Sequence, residues 1–67
     1  MMKITLNGQQ RDLPASTNLQ NIVDLFCKGT VRVMAEVNGQ IIKRPQWSKT
    51  AVNDGDAIEL INFVGGG

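Results

Sequence analysis

Histidine and tyrosine are both missing from this chain, and cysteine occurs once, at Cys27. The lack of histidine removes the commonest general base, the commonest metal ligand and any nucleophile activated by imidazole. A single cysteine excludes an intrachain disulfide and fits a reducing, intracellular setting better than a secreted scaffold. Cys27 closes a helical apolar pattern, where it reads as a small half-buried hydrophobe rather than a reactive thiol. Charge is sparse and mixed, seven Lys and Arg against six Asp and Glu for a net +1. No basic stripe marks a phosphate backbone, and no aromatic interleaving serves to stack single-stranded bases. No apolar run approaches the roughly 20 residues that span a bilayer. Met1-Met2-Lys3-Ile4-Thr5 runs straight into a strand pattern, with no signal peptide visible. These absences describe one soluble, cytoplasmic domain of 67 residues. A chain so short buries only about 60% of its unfolded surface, and it makes an unpromising stand-alone enzyme.

What is present is strongly patterned. Met2, Ile4 and Leu6 alternate with Lys3 and Thr5, the period of a strand with one buried face. Asn7-Gly8 follows, the strongest short-range hairpin signal, because type I′ turns need φ > 0 at both positions. Gln9 to Leu13 returns as a mostly polar edge strand, with Leu13 turned inward and Arg11 and Asp12 keeping the edge soluble. Thr17-Asn18-Leu19-Gln20 reads as a capping box, the Thr17 hydroxyl on a free N–H and Gln20 reaching back. Leu19, Ile22, Val23 and Phe26 then recur on one helical face. Their burial contributes on the order of 6–12 kcal/mol before entropy is counted. Lys28 and Gly29 give a last-turn cation and a left-handed stop.

A second strand has Val31, Val33, Ala35 and Val37 alternating with Thr30, Arg32, Met34 and Glu36. Asn38-Gly39 turns it into Gln40-Ile41-Ile42-Lys43. Pro45 then prevents strand continuation, so Arg44 to Thr50 reads as a loop or a short turn of helix. Trp47 is large enough to roof one end of a small core. Asn53-Asp54-Gly55-Asp56 is a third tight turn, and it launches the last strand. There Ile58, Leu60 and Asn62 share one face, with Glu59, Ile61 and Phe63 on the other. With Ile58 and Leu60 toward the helix, Ile61 and Phe63 point away from the core. Two readings of that pair stand: a docking patch, or side chains covered by neighbouring strands or by the Trp47 loop.

The strand-like run Ala57 to Val64 empties into Gly65-Gly66-Gly67. Glycine loses more conformational freedom on ordering than any other residue, so a triple glycine adds little to a fold. It does make a thin thread with a carboxylate at its tip. Val64 to Gly67 can project roughly 13 Å when extended, down a channel too narrow for side chains. The alternative is a frayed end or linker material.

Strand, hairpin, strand, helix, strand, hairpin, strand, loop, strand is the expected order, with one helix across one sheet face. Together with Val37-Asn38-Gly39, Arg44-Pro45-Gln46-Trp47, Asp54-Gly55-Asp56 and Phe63-Val64-Gly65-Gly66-Gly67, it resembles the β-grasp fold of ubiquitin-like proteins, and within that fold the ThiS family. Each motif is weak alone; their order and spacing over essentially the whole chain are more specific. Met34 and the Phe26-Cys27-Lys28 corner are less typical, which touches packing rather than chemistry.

The resemblance implies an α+β fold, a single domain over 1–67 with a mixed sheet of four to five strands and a flexible tail at 64–67. It implies a carrier acted on by other enzymes rather than a catalyst, with no cofactor bound by this chain and ATP and Mg²⁺ supplied in an activating partner. Gly67 would be adenylylated by a ThiF-like adenylyltransferase. It would then be converted to a thiocarboxylate with sulfur from a cysteine desulfurase or another donor, and unloaded in a ThiG-like thiazole synthase. Gly65 and Gly66 would thread the partner active sites, and Ile61, Phe63 and Val64 would bind the partner surface. Rival expectations are a carrier resembling the small subunit of molybdopterin synthase, a ubiquitin-like protein conjugated to lysines, and a plain binding module whose glycines are incidental.

Overall fold

The computed structural model describes residues 1–27 and 32–63, with the backbone alone for Phe63. The expected helix stop at Lys28 and Gly29, the first residues of the second strand pattern (Thr30 and Val31), the Phe63 side chain and the tail 64–67 lie outside the described residues.

Alternation produces the first hairpin as expected. β1 (Met2–Leu6) pairs antiparallel with β2 (Gln9–Leu13), Met2 opposite Leu13 and Leu6 opposite Gln9. Between them Asn7 has φ 50° and Gly8 φ 82°, both in the left-handed region that the turn demands. Met2, Ile4, Leu6 and Leu13 are buried. Arg11 shares the Leu13 side of the hairpin, and its guanidinium lies 5.3 Å from the centre of the Phe26 ring. It therefore shields the helix end as well as keeping the edge soluble.

The chain next forms β3 (Thr17–Asn18) and α1 (Leu19–Phe26). Leu19, Ile22 and Val23 are buried, with Phe26 packed against the same core. The helix cap differs from the capping box expected at Thr17. Asn18 is the N-cap, its Oδ1 accepting from the Asn21 N–H at 2.8 Å. Gln20 turns forward, donating to Asp24 Oδ1 at 3.0 Å. The reason is tertiary. β6 (Ala51–Val52) pairs with β3, and the Leu19 N–H donates to the Thr50 carbonyl, so the chain becomes helical one residue later than Thr17 requires.

β4 (Arg32–Val37) and β5 (Gln40–Ile42) form the second hairpin, turning at Asn38 (φ 51°) and Gly39 (φ 85°). The segment left open between loop and helix is a 3-10 helix, Arg44–Lys49, with Pro45 in its first turn where a missing N–H is tolerated. Trp47 is 1% exposed, and its indole N–H donates to the Ile42 carbonyl at 2.8 Å. Arg44 lies over the same ring at 4.7 Å.

The last strand, β7 (Ala57–Phe63), enters between β1 and β4, giving the order β2-β1-β7-β4-β5. It runs parallel to β1 and antiparallel to β4. One sheet face meets α1 and Trp47 in a single apolar core that includes Ile58 and Leu60. Among the described residues no helix is long and apolar enough to cross a membrane.

Candidate functional site

β7 leads to the glycine tail, and its position is fixed twice over by asparagines from the two hairpin turns. Asn7 faces Leu60: its Oδ1 accepts from the Leu60 N–H at 2.8 Å and its Nδ2 donates to the Leu60 carbonyl at 3.2 Å. That side chain mimics a ladder pair where β1 has already ended. Asn38 grips the start of the strand, its Oδ1 accepting from the Ala57 N–H at 2.9 Å while its Nδ2 donates to Asp56 at 3.0 Å. The left-handed backbone that makes each Asn-Gly a turn also turns the asparagine amide toward the neighbouring strand. Below β7, the Asn53–Asp56 turn is tied to β1, the Lys3 N–H donating to Asp54 Oδ1 at 2.7 Å and the Gly55 N–H to the Lys3 carbonyl at 2.7 Å. The strand that leads to the tail is thus held at its base, along its length and on both sides.

The outward expectation for Ile61 holds. Ile58 and Leu60 are buried, and Ile61 is 40% exposed on the face away from the helix. Complete cover by neighbouring strands or by the Trp47 segment is therefore excluded for this residue. Ile61 stands opposite Met34, and Ile41, 61% exposed, stands opposite Glu36 on the same face. Alternation alone does not join Met34 and Ile41 to Ile61. Inward Val33, Ala35 and Val37 already implied an outward Met34, but which residue faces it depends on register. Phe63 is paired through its backbone with Arg32. Its side chain, Val64, Gly65, Gly66 and Gly67 lie outside the described residues, so of the six proposed site residues only Ile61 is placed by its side chain.

Other chemistry is sparse. Among the described residues no group of three or more His, Cys, Asp and Glu is arranged to hold a metal. Burial pushes the Cys27 thiol up from its ordinary value, partly offset by a hydrogen bond with Asn62. A thiol so placed is less ionised than a free one and so less nucleophilic.

The family model described as the ThiS family matches residues 4–67. The chain is 33% identical over 66 residues to a thiazole synthase of Paramagnetospirillum magneticum, an alignment covering 98% of this chain and 20% of that protein. It is 29% identical over 66 residues to the sulfur carrier protein ThiS of Escherichia coli, covering 98% of this chain and 100% of that one. Thus it spans about a fifth of the first relative and the full length of the second. The crystal structure of the thiamine biosynthesis protein ThiS from Geobacter metallireducens superposes with a TM-score of 0.80 at 31% identity, covering 98% of this chain and 100% of that one. The five-stranded mixed sheet with one helix is the β-grasp arrangement expected, and with the family match extending from β1 to Gly67, the chain belongs to the ThiS family.

Proposed function

We propose that the chain is a sulfur carrier protein of thiamine biosynthesis, with Gly67 as the residue that is charged and unloaded. The observation that carries this reading is the alignment over the whole of the E. coli sulfur carrier protein ThiS, together with a glycine tail that follows directly on a clamped central strand. A free carboxylate is a poor acyl donor. The Gly67 carboxylate attacks the α-phosphate of ATP on a ThiF-like adenylyltransferase, releasing pyrophosphate and leaving an acyl-adenylate. A persulfide formed by way of a cysteine desulfurase then attacks that carbonyl and displaces AMP, giving an acyl disulfide. A second thiol cleaves its S–S bond to release the thiocarboxylate, leaving as a disulfide with the persulfide's own sulfur carrier. A ThiG-like thiazole synthase takes the sulfur for thiazole formation. ATP and Mg²⁺ belong to the activating partner.

Each tail residue ordered in a partner costs about 1–2 kcal/mol. Gly65 and Gly66 fit a narrow passage because they have no side chain, and Ile61, Phe63 and Val64 offer apolar contact to offset that ordering. The hold on β7 supports the same reading, because a strand tied at its base, along its length and on both sides gives the chain that follows it a fixed point of departure. The test is the intact mass of the protein purified from its own host. A species heavier by one sulfur-for-oxygen exchange, mapped to Gly67, is expected. Protein recovered only in its unmodified mass, from cells making thiamine, would sink the proposal.

A further inference from the structure

The two Asn-Gly pairs carry a reactivity that turning the chain does not use. An asparagine followed by glycine is open to intrachain cyclisation, because the glycine nitrogen brings no Cβ to crowd its approach to the asparagine amide. Asn38 and Gly39 are exposed, and a Cβ added at Gly39 would meet nothing within 4 Å. The β4–β5 ladder closes at Val37 and Gln40, which leaves the Gly39 N–H outside it. Asn38 also has an acid for a neighbour. Its Nδ2 donates to Asp56 Oδ1 at 3.0 Å, its Oδ1 accepts from the Ala57 N–H at 2.9 Å, and its own N–H donates to the Ala57 carbonyl at 2.7 Å. Asp56 Oδ2 is engaged as well, accepting from the Asn53 N–H at 2.8 Å.

We propose that Asn38–Gly39 is a site of spontaneous deamidation, and that the carboxylate it leaves unfastens the start of β7. The Gly39 nitrogen, losing its proton to water, bonds to Asn38 Cγ. The tetrahedral centre so formed expels the side-chain nitrogen, which takes up a proton and leaves as ammonia. Water then opens the succinimide at either carbonyl, giving aspartate, or isoaspartate with the chain rerouted through the side-chain carbon. Amide and water become acid and ammonia, and nothing is oxidised or reduced. The hydrogen bonds to Asp56 and Ala57 direct the amide toward the start of β7, so the reaction proceeds through local opening of the turn. Asn7–Gly8 has the same chemistry under a firmer hold. Its side-chain bonds to Leu60 are part-buried, whereas those of Asn38 are exposed, where water replaces them at less cost. At position 38 the product sets a carboxylate oxygen where an N–H had met Asp56, and like charges so close disfavour each other. Asp56 cannot turn aside without releasing the Asn53 N–H. Isoaspartate adds a backbone atom to a two-residue turn, which no longer matches the strands it joins. Neither step depends on the carrier reading.

The test holds the whole chain in mildly alkaline buffer, once folded and once unfolded in urea, and follows the masses of the peptides carrying Asn7 and Asn38 over time. In urea both asparagines are expected to convert at similar rates. In the folded chain Asn38 is expected to convert more slowly than in urea, yet about tenfold faster than Asn7. No conversion at Asn38 while the unfolded chain converts, or conversion at Asn7 first, would overturn the assignment. The consequence is read separately with Asn38→Asp, which reproduces the aspartate product and keeps a residue type tolerant of positive φ. This variant is expected to unfold at lower urea than the parent. Adding Asp56→Asn restores a donor between the two side chains, and the double variant is expected to recover most of the loss. An unchanged midpoint in Asn38→Asp, or a lowered one that Asp56→Asn leaves uncorrected, would show that facing carboxylates do not unfasten β7.

Discussion

Asn7 combines two properties rarely asked of one side chain. Its backbone sits at φ 50°, which alanine adopts at a cost of roughly 1–2 kcal/mol, and its amide satisfies both polar groups of Leu60. Asn7→Ala is therefore expected to cost about 2–4 kcal/mol in urea unfolding, counting the strain and the two lost hydrogen bonds. The Leu60 amide should also exchange with solvent faster. A loss below about 0.5 kcal/mol would mean the clamp holds nothing. Cys27 makes the contrary case, a side chain whose value lies in being inert. Because burial raises its folded pKa, the stability linked to the thiol is fully present below its ordinary value of 9.0 and is lost as the pH rises through the folded value. Iodoacetamide should alkylate it more slowly at pH 7.5 than a free cysteine, and a rate equal to or above that of the free thiol would show it to be activated.

At the level of the element, α1 is short and depends on its first turn. Asn18 caps it with Oδ1 and ties it to the 3-10 helix, its Nδ2 donating to the Ser48 carbonyl at 3.3 Å. Thr17 instead accepts from the Asn21 side chain at 3.2 Å on an exposed surface. Asn18→Ala should cost about 1 kcal/mol, and Thr17→Ala less than about 0.5 kcal/mol. Thermal unfolding of the pair decides which residue caps the helix, and the reverse order would restore the capping box. β7 shows the other use of an element. Among the described residues it is the longest strand, at seven residues, and it lies in the middle of the sheet. One side of it builds the core through Ile58 and Leu60, while Glu59 and Ile61 face outward.

At the scale of the whole molecule, the proposed site at Gly67 lies beyond the described core residues in sequence. Every buried core residue among those described lies between Met2 and Leu60. Deleting Gly67 should therefore move the urea midpoint by less than the equivalent of about 0.5 kcal/mol. The same deletion should abolish adenylate formation when the protein is mixed with ATP and the adenylyltransferase, read by mass. Full adenylylation of the truncated chain would remove Gly67 from its proposed role, and a large loss of stability would mean that the tail belongs to the fold.

Local pattern determined much of this. Alternation in Met2 to Leu6 and in Val33 to Val37 set which side chains go inward. The two Asn-Gly pairs set the turns, and the spacing of Leu19, Ile22, Val23 and Phe26 set the helix face. The outward direction of Ile61 followed from the inward Ile58 and Leu60, because side chains alternate along a strand. Tertiary structure decided the rest, since strand order and register join residues far apart in sequence. Only the parallel entry of β7 beside β1 brings Leu60 to Asn7, 53 residues away. Only the β4–β7 register sets Glu36 against Glu59 and Met34 against Ile61. Thr17 and Asn18 are both good caps in isolation, and the choice fell to Asn18 once β6 had paired with β3 and the Thr50 carbonyl had taken the Leu19 N–H. A periodic sequence specifies which face a residue takes, but its neighbour on that face is fixed by the long-range pairing that folding closes.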